Sequence, residues 1–220
     1  MTEPAVPPAL HLIVLDGLPP APFDDLESDL GGSGVTVRRT VRPNEPFAAL
    51  ELFILPAAVV ALAVNSYFKA FFEEAGKSHY KLLESAIKKL ASRMLGSAGP
   101  DVELLGTPGK LPSVPRYSHR IGVVANFEGG ASVRLVFAPG EDPGPALTRF
   151  FELLEQLHGP DADSVTVAGA SGNGRHGLFV RYNAELDALV FINPMAGTPA
   201  DCARDASSPS ESVKDGKPST

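Results

Sequence analysis

The sequence predicts an α+β domain, a mainly antiparallel sheet with helices on one face, in the order ββαα-ββα-βββ. Three observations predict it. Short runs of β-branched residues lie one turn apart, as in Ile121–Phe127 and Val133–Phe137 across Glu128-Gly129-Gly130. Other segments carry apolar residues at spacings of three and four, the period of a helix. Strands joined by tight turns pair antiparallel, and the helices then cover one side of the sheet.

Taken in order, residues 1–9 are Pro-rich and read as an extended segment. Leu10 to Leu15 is a compact apolar run closed by Asp16-Gly17, a buried strand and its turn. Residues 16–34, rich in Pro, Gly and acid, read as a loop. Val35 to Arg42 alternates Val35, Val37, Arg39 and Val41 with Thr36, Arg38, Thr40 and Arg42, the period of a strand.

Helices follow. Pro46 suits a first helical turn after Asn44, and Pro56 should kink or break what it starts. Ala57 to Phe72 reads as helix, ended by Gly76, with Ser78 capping the next. Tyr80, Leu83, Ile87, Leu90 and Met94 then form one helical face. After a loop with a short strand at Val102–Leu105 and the hairpin above, Asp142-Pro143 opens a helix. Its apolar face is Leu147, Phe150, Phe151, Leu154 and Leu157, and Gly159-Pro160 stops it. Ser164–Val167 reads as a strand, and Leu178–Tyr182 with Leu189–Ile192 as a last hairpin across Asn183 to Asp187. Residues 10–195 thus form one α+β domain, and the polar tail 196–220 is expected to be disordered.

Composition narrows the function. With 44% apolar residues in 220, the chain can bury a proper core. A formal net charge of −7 argues against broad nucleic-acid binding. Cys202 is the single cysteine, so an intrachain disulfide is excluded and a Cys-based zinc site lacks ligands. The N-terminus has no basic region ahead of its short apolar run, which makes it a poor signal peptide and a cytoplasmic location the default.

The apolar run from Phe47 to Phe68 is the most informative stretch. Its uncharged part, Leu52–Phe68, sits at the lower limit of the roughly 17–25 residues a membrane span needs, and it contains Pro56, Asn65 and Ser66. Beyond it, Lys77, Lys81, Lys88, Lys89 and Arg93 stand against one acid, Glu84. A buried helix is the preferred reading; membrane association through residues 47–95 is the alternative. The basic helix by itself reads as a solvated face.

Chemical signatures are sparse. The run from Gly169 to Gly177 precedes a strand rather than a helix, so it lacks the free N–H groups of a phosphate cradle. Arg175 and His176 could contact an anion from it. None of His11, His79, His119, His158 and His176 has an i, i+4 metal partner, and His158 suits a helix C-terminus. Arg116, His119 and Arg120 make a small basic cluster with a surface role. Asp16 ends a strand, where Asp24 and Asp25 could add carboxylates for a metal, although Asp-Gly is ordinary turn chemistry. Ser171, His176 and Asp187 can be drawn as a triad only on paper. The expectation is a non-enzymatic protein-interaction module with no cofactor and no metal, whose partner is another protein. An enzyme centred on Asp16 or the 169–177 loop is the third reading.

Overall fold

A computed structural model describes residues 10–33, 35–44, 56–64, 76–102, 117–127, 130–158 and 177–192. Within them the chain runs β1 (Leu10–Leu15), α1 (Ala21–Gly31), β2 (Val37–Arg42), β3 (Ala58–Val64), α2 (Gly76–Leu95), β4 (Ile121–Phe127), β5 (Ser132–Leu135), α3 (Pro143–His158), β6 (Leu178–Asn183) and β7 (Ala188–Ile192). The strands form a seven-stranded sheet in the order β2-β1-β3-β4-β5-β6-β7.

The class is α+β, but the sheet is mixed rather than mainly antiparallel. Pairings alternate: β1–β2, β3–β4 and β5–β6 are parallel, while β1–β3, β4–β5 and β6–β7 are antiparallel. A parallel pair needs a crossover long enough to return the chain to the same end, and among the described residues a helix lies between the strands of each pair. Only the β4–β5 and β6–β7 hairpins keep the antiparallel geometry that short turns impose.

Two elements differ from the sequence reading and together produce this change. The acidic stretch read as a loop contains α1, which starts one residue after Pro20 and buries Phe23, Leu26 and Leu30. Its apolar positions are three and four apart, a signal diluted by the surrounding Pro and Gly. The run read as a helix over 57–72 instead holds β3, with burial on both faces: Val59 and Val60 are both buried, as is Leu62. A strand covered on both sides reads as a continuous apolar run, which periodicity alone does not separate from a helix. The remainder of that run, 65–72, lies outside the described residues, as do the first-turn Pro46, the strand at 164–167, and both terminal segments, 1–9 and 196–220. Of the short strand read at Val102–Leu105, Val102 is described and is not in a strand, and 103–105 lie outside the described residues.

The other helices follow the expected pattern. In α2, Leu83, Ile87, Leu90 and Met94 are buried, although the helix already begins at Gly76. In α3, Leu147, Phe150, Phe151 and Leu154 are buried, and Asp142 Oδ1 accepts a hydrogen bond from the Gly144 N–H at 3.0 Å just ahead of it. The three described helices share one core with Leu12, Val60, Val123, Leu135 and Val180 of the sheet. α2 lies between α1 and α3 and touches both. Tyr80 meets Phe151 edge to face, with ring centroids 5.3 Å apart, which fixes α2 on α3. Each large side chain fully buried in this layer contributes about 1.5–3 kcal/mol.

Ion pairs also link α2 to α1. Lys89 pairs with Asp29 at 2.7 Å, and Arg93 pairs with Asp25. Lys88 meets Glu84 at 2.6 Å and Thr148 of α3 at 2.7 Å. Two of the basic residues of α2, Lys89 and Arg93, thus meet acids of the helix beside it while staying partly exposed on a solvated face. Among the described residues, no helix is long and apolar enough to cross a membrane.

Candidate interaction edge

The last hairpin is built from its turn outward. Asn183 Oδ1 accepts from the N–H groups of Glu185 at 2.9 Å and Leu186 at 3.2 Å, an Asx-type turn that reverses the chain. Asp187 closes it at φ 46, a left-handed conformation that Asp tolerates better than most side chains. Its carboxylate is then held from two directions. Tyr182 Oη donates to Oδ1 at 2.9 Å, and Arg149 of α3 ion-pairs with it. The Arg149 guanidinium, and after it the Tyr182 hydroxyl, holds this carboxyl below the usual aspartate range. The hairpin is thereby tied both to itself and to the helical layer.

What this hairpin presents is β7, Ala188-Leu189-Val190-Phe191-Ile192, with no charged residue. Among the described residues no strand pairs with its outer edge. Phe191 is 71% exposed, and Leu186 in the turn is 65% exposed. An uncharged apolar edge strand is what sheet proteins usually avoid, because its free N–H and C=O groups template pairing with another chain.

The opposite edge is of another kind. β2 carries Arg38, Arg39 and Arg42. Arg39 turns to the helical side, where it meets Asp24 at 2.7 Å and Glu27 at 3.0 Å. Arg42 donates to the Pro56 carbonyl at 2.8 Å. One edge thus carries cations, and the other, among the described residues, is uncharged and unpaired.

Among the described residues, those singled out for chemistry do not assemble. Asp16 sits at the end of β1 and accepts from the Gly17 N–H at 2.9 Å, with Gly17 at φ 88, so it serves its turn. Asp24 and Asp25 lie on α1 and are paired with Arg39 and Arg93. Among the described residues, no three His, Cys, Asp or Glu side chains are grouped as metal ligands. Of the 169–177 loop only Gly177 is described. Its φ is 71, and an added Cβ would stand 2.1 Å from Ser132 Oγ, so close packing accounts for glycine there. Ser171 and His176 lie outside the described residues, and Asp187 is held in the turn described above.

His119 and Arg120 line a cleft of about 700 Å³ between the end of α2 and the start of α3. Its polar groups serve the ends of elements. Arg120 donates to the Gly96 carbonyl at 3.1 Å beyond the α2 C-terminus, and Glu141 accepts from the Ala138 N–H at 2.6 Å. Burial, and then the Arg120 charge, pushes the His119 imidazole below its ordinary value. Arg116, the third member of that cluster in the sequence, lies outside the described residues.

Comparison with protein-family models, with curated proteins and with solved structures finds no match for this chain. The β7 edge was half visible in the sequence. The hairpin is predicted, and the absence of charge from 188–192 is plain, but which strand ends the sheet depends on pairings between distant segments.

Proposed function

We propose that this protein is a non-enzymatic interaction module that takes an extended segment of a protein partner as a further strand beside β7. The observation that carries the reading is the exposure of Phe191 on an uncharged edge strand. Strand addition uses main-chain hydrogen bonds for affinity and alternate side-chain contacts for selectivity. The Asp187 tether supports it, because an edge already held in shape loses little freedom when a partner binds.

The test is selection of extended peptides from a random displayed library on the immobilised protein. The expected winners alternate apolar residues, shift the amide resonances of 188–192 on binding, and lose affinity at least tenfold for Phe191→Arg and Val190→Lys. Winners that bind these variants as well as the parent chain, or that shift the cleft around His119 instead, overturn the reading.

A further inference from the structure

Resting on that strand-addition reading, we propose that the strand taken is β7 of a second copy of this chain, in a two-fold antiparallel pair centred on Val190. A two-fold interface is isologous, so the edge must be compatible with itself. Centred on Val190, the pairing sets Leu189 opposite Phe191 of the second copy and Ala188 opposite Ile192. Every cross-strand pair is then apolar, and no like charges meet, because β7 contains none. The other edge meets this condition less well: a two-fold pairing of β2 centred on Thr40 would set Arg38 opposite Arg42 of the second copy. A two-fold pair uses β7 of both copies, so the assembly closes at two.

The geometry of the layers agrees. A two-fold axis perpendicular to the sheet leaves the helices of both copies on the same side. Phe191 lies across from Val180, a core residue under those helices, so its ring is on the helical side of the sheet. α3 packs on β6 and β7 and reaches the β6–β7 turn through Arg149. Leu153 and Leu157 follow Arg149 at helical spacing and so share its stripe. In the pair, Phe191 of each copy fills the space between the two α3 helices.

Sedimentation equilibrium of the full chain across the micromolar to millimolar range tests this. The expected result is a monomer–dimer equilibrium without larger species, shifted at least tenfold toward monomer by Phe191→Arg and, separately, by Val190→Lys. In a Cys202→Ser background, Val190→Cys should cross-link to a covalent dimer on oxidation, and Thr40→Cys on the β2 edge should not. A monomer throughout the range, a dimer indifferent to both β7 variants, or a ladder of larger oligomers overturns the inference. If the chain stays monomeric while selected peptides still bind at 188–192, the pairing of copies fails and strand addition stands; if neither occurs, both fail.

Discussion

Arg39 and Phe191 stand at the two ends of one cross-strand row. It runs Arg39, Leu12, Val60, Val123, Leu135, Val180, Phe191 through all seven strands, on the helical side. The five middle residues are each no more than 1% exposed. At one end α1 closes the row with acids for Arg39. At the other, no described helix covers the ring of Phe191, which is 71% exposed. The same layer thus produces a guarded edge and an open one.

The first prediction concerns β3. Leu62 is fully buried at the centre of the sheet, and Leu82 on α2 is 39% exposed. Leu62→Ala should cost about 2–5 kcal/mol, by lost burial plus the cavity left behind. Leu82→Ala should stay within about 0.5 kcal/mol. Urea titration of both variants reads the difference, and equal small effects would argue against β3 as a core strand.

The turn tether gives a second. Asp187→Asn keeps a residue that tolerates φ 46 and loses the charge, while Asp187→Ala loses both. Amide exchange at Leu189 and Val190 should therefore accelerate in the order parent, Asn, Ala. Exchange that is the same in all three would show that the hairpin holds without the carboxylate.

The same carboxyl sets a pH dependence. Arg149, then Tyr182, lowers its folded-state value, so its contribution is full above the unfolded aspartate value of about 3.9. That contribution is lost as pH falls through the lower folded value. The Asp187 side-chain resonance should titrate below an ordinary aspartate, and in Arg149→Gln it should move back up. A midpoint unchanged by that substitution would contradict the assignment.

Between α1 and α2 the ion pairs are exposed, so each is worth little. Arg93→Glu should destabilise by no more than about 1 kcal/mol, with part of the loss recovered by Asp25→Arg in the same chain. The coupling should shrink in high salt. A double-mutant cycle by thermal unfolding measures it, and zero coupling at low salt would remove this pair from the account of how α1 is held.

Much of the fold was legible where one face of an element meets water. α3 and the apolar face of α2 show their period because their outer sides are polar. Both hairpins show their turns. β3 was misread because burial on both faces erases alternation, and α1 because Pro and Gly flank an acidic helix whose partners, Arg39, Lys89 and Arg93, come later in the chain. Missing α1 made the sheet look antiparallel, since β1 and β2 then lacked a crossover. The exposed edge was illegible for a related reason. Strand order arises from pairings across long separations, and no local pattern distinguishes a terminal apolar strand from an inner one.

Residue-resolved amide exchange of β7 tests the central claim most directly. In an edge strand, alternate N–H groups face the neighbouring strand and the rest face outward. At high dilution, residues 188–192 should alternate between slow and fast exchange, and the fast set should slow when a strand is added by a selected peptide or by raising the protein concentration. Uniform protection at high dilution would mean the edge is already covered, and uniform rapid exchange would mean the hairpin is not formed. Either result would contradict an open, preformed β7 edge.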